Sequence, residues 1–176
     1  MTYTLDQFGM ELTATLEAKG LGGLNDIALN LQRLLKNPDF VAATFNDAME
    51  PGKRVLFHDP LSGAYVQAHV HAGGKRGKPH SHGASWAVYG NAKEVTEMTE
   101  WRRVNPEGEP RAVLEPVSHY ALGPGQSRAY GPHVIHSTAH PKKAWVIRII
   151  GTKLSEIPRY HFNSEADTML EAAEAK

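Results

Sequence analysis

The chain has 176 residues, 41% of them hydrophobic and 22% charged, which suits one globular domain with its own core and is short for two. Its 19 Lys and Arg balance 19 Asp and Glu, so it lacks the basic excess with which nucleic-acid binders neutralise phosphates. There is no cysteine, which excludes disulfides, thiolate metal sites and a cysteine nucleophile.

The opening Met-Thr-Tyr-Thr-Leu-Asp-Gln-Phe has neither a basic start nor an apolar run of signal-peptide length, and no segment is apolar enough to span a bilayer. The expectation is a cytoplasmic protein with no membrane and no nucleic-acid partner. Leu5, Phe8, Leu12 and Leu16 then recur at helical spacing behind Thr4, a capping residue, and Gly20, Gly22 and Gly23 end that helix. Asn25 is placed to cap a second helix carrying Ile27, Leu31, Leu34 and Leu35. Asn37-Pro38 reads as a cap followed by a first-turn proline, opening a third short helix through about Phe45.

From Arg54 the pattern changes to short runs rich in Val, Tyr, Trp and Ile between Gly, Pro, Asp and Asn. Strands are expected at Arg54 to Phe57, Ala64 to His71, Ala84 to Val95, Glu97 to Val104, Ala112 to Leu114, His119 to Leu122 and Ala144 to Ile150. Many short strands with frequent turns predict a mainly β sandwich or barrel, and the absence of helical stretches between them argues against a parallel α/β sheet. Residues 1–48 are expected to form a helical cap packed on the barrel, 49–160 the barrel, and 161–176 a tail with a short surface helix from Glu165 to Ala175.

Histidine carries the chemistry: there are 10, and none precedes His58. In Lys78-Pro79-His80-Ser81-His82-Gly83, His80 and His82 sit at i and i+2, which in a strand puts both on one face. Imidazole nitrogens suit Fe, Zn, Ni or Cu at roughly 2.0–2.2 Å. A third ligand has to come from elsewhere, and His133 and His136 in Gly131-Pro132-His133-Val134-Ile135-His136 are the candidates. His69-Val70-His71 has the same spacing and reads equally well as two packed or hydrogen-bonded strand histidines.

Gly74, five residues, then His80-Ser81-His82 resembles the first motif of the cupin superfamily, and Gly125, ten residues, then His136 with Pro141 behind it resembles the second. The resemblance implies a double-stranded β-helix, a jelly-roll barrel with a metal at its centre. It narrows at Arg54-Val55-Leu56-Phe57-His58-Asp59-Pro60, the Tyr65 to Val70 strand, and Pro79-His80-Ser81-His82-Gly83 with Trp86 and Gly90. These look like the thiol dioxygenase branch, whose members resemble cysteine and mercaptopropionate dioxygenases and hold iron on three histidines. The motifs are short and departures are clear. Trp86 stands in the neighbourhood where most cupins carry a glutamate ligand. His140 replaces the second motif's asparagine. Ala144 to Ile150 has no Ser-His-Tyr relay, and a cysteine-tyrosine crosslink is impossible.

The resemblance therefore implies a metal site of His80, His82 and His136, with Fe(II) as the expected ion and Zn, Ni or Mn as others. His133 is the competing third ligand. Tyr65, Gln67, His69 and His71 share one strand face; turned inward, Gln67 or His69 holds a substrate, and otherwise Tyr65 and Gln67 fill the barrel mouth. Trp86 and Tyr89 read as core aromatics. Arg148 interrupts an apolar run and needs a partner, either a substrate carboxylate held in bidentate fashion or an internal salt bridge, unless it faces outward at an edge. The alternating Glu94, Glu97, Glu100 and Arg102-Arg103 read as a solvated face. The functional expectation is a dioxygenase using O2 on a small organic acid or thiol. A non-redox metal-dependent isomerase or lyase, and a small-molecule-binding cupin without turnover, are the competing readings. Open sheet edges suggest a homodimer.

Overall fold

The computed structural model describes residues 2–109, 111–162 and 170–171 of the chain. Helix α1 spans Leu5–Lys19 and opens on a capping box, with the Gln7 N–H donating to Thr4 Oγ1 (3.2 Å) and the Thr4 N–H to Gln7 Oε1 (2.9 Å). A tight turn at Gly20–Gly23 follows and runs straight into α2, Leu24–Leu35. The turn makes Gly23 the residue before the helix, so Asn25 lies inside the first turn and is not the cap. Gly23 is needed there: a Cβ would stand 2.5 Å from Thr15 Cγ2 of α1. Helix α3, Pro38–Thr44, starts as expected, with Asn37 Oδ1 accepting from the Asp39 N–H at 3.0 Å.

The strands are β1 Gly52–His58, β2 Tyr65–His71, β3 Lys75–Arg76, β4 Ala87–Lys93, β5 Thr96–Arg103, β6 Leu114–Leu122, β7 Ser127–Tyr130, β8 Ile135–His140, β9 Ala144–Ile150, β10 Tyr160–His161 and β11 Leu170–Glu171. They form a five-stranded sheet in the order β1-β2-β9-β4-β7 and a four-stranded sheet in the order β3-β8-β5-β6, with β10 and β11 paired separately. The pairings within both sheets are antiparallel, as a double-stranded β-helix requires. The runs expected at Ala112 to Leu114 and His119 to Leu122 meet in one strand, β6, which starts at Leu114, because Glu115, Pro116 and Ser118 continue the pairing with β5 across an irregularity at Val117. The helix expected from Glu165 to Ala175 lies outside the described residues except at Leu170–Glu171, which pair as a strand. No helix among the described residues is long and apolar enough to cross a membrane.

Alternation divides the five-stranded sheet into two buried faces. Val66, Ala68, Val70, Val88, Ile147 and Ile149 turn outward and pack on α1 and α2 through Phe8, Leu12, Ile27, Leu31 and Leu34. Ala87, Tyr89, Ala144, Val146 and Ile150 turn inward and meet Met98, Leu122 and Tyr130. This is why β9 reads as nearly unbroken apolar sequence: Arg148 is its one inward exception. Gly90 lets α2 lie this close, since a Cβ there would stand 2.6 Å from both Leu31 Cδ2 and Leu35 Cδ1.

Candidate metal centre

His80 and His82 do not lie in a regular strand. His80 forms one antiparallel bridge with His136, each N–H donating to the other's carbonyl at 2.9 Å, and the chain then turns at Gly83 with φ 57°. That reciprocal pair fixes the His80 and His136 segments to each other through the backbone alone. On the other side, the Ser81 N–H donates to the Tyr160 carbonyl (2.9 Å) and the Phe162 N–H to the Pro79 carbonyl (2.8 Å). The His80–His82 segment is thus held between β8 and a strap of residues 158–162.

One ring nitrogen from each of His80, His82 and His136 comes together, all within 4.8 Å of one another. His133 does not join them: it is exposed, adopts φ 63°, and its N–H donates to the Gly83 carbonyl at 2.8 Å. His80 Nδ1 lies 3.0 Å from the Lys78 carbonyl and His136 Nδ1 3.3 Å from that of Val134. A carbonyl only accepts, so each Nδ1 carries the proton and each Nε2 keeps its lone pair. His82 Nδ1 is buried with no partner among the described residues.

Burial holds all three rings neutral. It is the largest cause in each case, drawing His80 down to about 4, His82 to about 2 and His136 to about 3, with the neighbouring histidines and the Arg148 charge adding to it. Neutral imidazoles with convergent lone pairs, one of the rings leaving a buried nitrogen unmet, fit a divalent ion better than a hydrogen-bonded core cluster.

A polar row runs beside the triad. In register, Gln67 of β2 pairs with Arg148 of β9, and Arg148 with Tyr89 of β4. Arg148 Nη2 donates to Gln67 Oε1 at 3.2 Å, and His69 Nε2 donates to the same oxygen at 3.2 Å. All of these side chains turn inward, and Gln67 Oε1 accepts from both Arg148 and His69. The internal salt bridge open to Arg148 is not formed among the described residues.

Tyr89, read as core from the sequence, reaches the centre. Its hydroxyl lies 3.3 Å from His82 Nε2 and 3.4 Å from His136 Nε2. Burial raises its pKa, so the phenol keeps its proton. No sequence signal marked it, because only the β4–β9 register turns it inward. Trp86 packs with the helix-facing core, away from the centre. His69 and His71 stack on each other with centroids 5.6 Å apart, and His71 stacks in turn on His140 at 4.0 Å, whose Nδ1 meets Thr96 Oγ1 at 3.2 Å. Glu100 leaves the expected solvated face and pairs with Arg128 at 3.0 Å.

No protein-family model matches the chain, and no curated protein matches it by sequence. Among solved structures it is similar to a cupin superfamily protein from Desulfitobacterium hafniense, at 10% identity over 64% of this chain and 87% of that one, with a TM-score of 0.45. A cupin-like protein from Thermotoga maritima gives 18% identity over 69% of this chain and 92% of that one, with a TM-score of 0.44. The DMSP lyase DddQ from Ruegeria pomeroyi gives 14% identity over 65% of this chain and 53% of that one, with a TM-score of 0.43. These likenesses carry no argument about substrate or reaction.

Proposed function

We propose that this protein is a metal-dependent cupin enzyme, a non-haem Fe(II) dioxygenase acting on a small organic acid or thiol. The observation that carries the reading is the set of three neutral histidine nitrogens within 4.8 Å in a barrel interior. His80, His82 and His136 would hold the ion. When bound, Fe(II) supplies open positions for substrate and O2 together with the electrons for oxygen chemistry. Arg148, steadied by Gln67 and through it by His69, binds the substrate's anionic group. Tyr89 holds a proton at its hydroxyl, between two ligand rings. The apolar residues of the barrel interior keep bulk water out.

One observation favours a second reading, a non-redox lyase or isomerase. A buried phenol beside the ligands is a proton-transfer group, which such chemistry needs and oxygen insertion does not require.

The test is metal content of untagged protein together with oxygen uptake. About one iron per chain, lost in His80→Ala and His136→Ala and kept in His133→Ala, with O2 consumed on adding a small thiol or acid, supports the dioxygenase. Substrate turnover without O2 uptake selects the second reading. A protein that stays empty after anaerobic loading with Fe(II), Zn(II), Mn(II) and Ni(II) ends both.

A further inference from the structure

The strap from Pro158 to Phe162 brings a second guanidinium to the centre, and we infer that the site takes a small organic acid with two anionic groups, one on Arg148 and the other on Arg159. The inference rests on the metal-enzyme reading and deepens it by assigning the substrate's charge.

The register of the strap places Arg159. Phe162 pairs with Pro79 through its N–H (2.8 Å), His161 bridges His80, and Tyr160 receives the Ser81 N–H (2.9 Å). A Cβ on Gly83 would overlap the Pro158 carbonyl, which continues the same antiparallel count. One step short of that, Arg159 falls opposite His82. His161 stacks on His80 with centroids 5.5 Å apart, so that face of the strap looks toward the ligands. Arg159, two residues earlier, shares that face.

Neither guanidinium is charge-paired among the described residues. The Nε of Arg148 and the Nε of Arg159 are buried without a hydrogen-bond partner among the described residues. Neither has a carboxylate partner there, whereas Arg33, Arg102 and Arg128 pair with Glu11, Glu115 and Glu100. Both charges also act on His80 and His82, which puts them within electrostatic reach of the same two rings. Two like charges beside a cation site are costly to hold without counter-ions. A dianionic ligand supplies both, and since the arginines stand on different elements, β9 and the strap, two separated anionic groups match them better than one.

The experiment titrates propionate, malonate, succinate and phosphonoacetate into metal-free and Co(II)-loaded protein by calorimetry. At least one dianion should bind about tenfold or more tighter than propionate. Arg159→Gln should abolish that preference and leave propionate binding within about twofold of wild type, while Arg159→Lys keeps most of the preference. If Arg159→Gln fails to fold, Arg159→Met takes its place, loss of the dianion preference supporting the assignment and full retention refuting it. Propionate binding as tightly as every dianion, or Arg159→Gln retaining the full preference, overturns the inference. A dianion preference in metal-free protein that never loads metal defeats the metal-enzyme reading and leaves the anion site standing. Metal loading without the preference does the reverse. A preference for phosphonoacetate over both dicarboxylates identifies one of the two groups as a phosphoryl group.

Discussion

The Nδ1–H of His80 and that of His136 are each turned to a carbonyl two residues earlier, and this local bond aims the opposite nitrogen at the centre. Tyr89 completes the arrangement with one hydroxyl proton for two ring nitrogens, at 3.3 and 3.4 Å, so it donates to only one at a time. Replacing it by Phe removes the hydroxyl and keeps the ring against Tyr130 and His136. Stability of Tyr89→Phe should change by about 1 kcal/mol or less, and bound metal should stay at the wild-type ratio. Turnover should fall by roughly 10²-fold or more if the phenol moves a proton. Wild-type turnover at full metal content would make Tyr89 packing only. The three converging histidines were legible because His-x-His and a later histidine resemble a known motif; Tyr89 and Arg159 were not, because each is brought in by a register between distant segments. For Arg148 the sequence showed a charge in an apolar run and could not show which face it takes.

At the scale of elements, the strap over the ligand segment depends on Gly83. Its φ of 57° is a left-handed conformation, and a Cβ there would overlap the Pro158 carbonyl. Gly83→Ala therefore meets two costs, about 1–2 kcal/mol for the backbone conformation and a further displacement of Pro158. The variant should unfold at lower temperature, exchange the Ser81 and Phe162 amides faster, and bind metal more weakly. Unchanged exchange at those two amides would mean the strap is held independently of Gly83. The helices were easier to read than the strap. Thr4 and Asn37 announce their caps in sequence, while Asn25 misleads because Gly20–Gly23 already forms a turn that feeds α2. The short β3, β7 and β10 carry no alternation long enough to detect; β3 and β7 exist because the longer β8 and β4 offer them an edge.

For the whole molecule, the buried histidines tie the fold to pH. Burial lowers His69 to about 2, His71 to about 4, His80 to about 4, His82 to about 2 and His136 to about 3, against 6.5 for the free side chain. The folded values lie below the unfolded one, so the unfolded chain binds more protons throughout the interval between them. The stability from these neutral rings is complete above about pH 6.5 and is lost as pH falls from there through the folded values. Each such histidine contributes a slope of about 1.4 kcal/mol per pH unit inside that window. Metal-free protein should accordingly take up about two or more protons on unfolding at pH 5, read from the pH dependence of the urea midpoint. Saturating Zn(II) at pH 7, at about 100 times its dissociation constant, should add about 2.7 kcal/mol, because the ion binds the folded triad. That increment should shrink toward pH 5, where protons compete for the imidazoles. A urea midpoint that is flat from pH 7 to pH 5 would show that these rings protonate in place. The barrel interior would then be wet, and the dry, neutral triad on which the metal-enzyme reading rests would be lost with it.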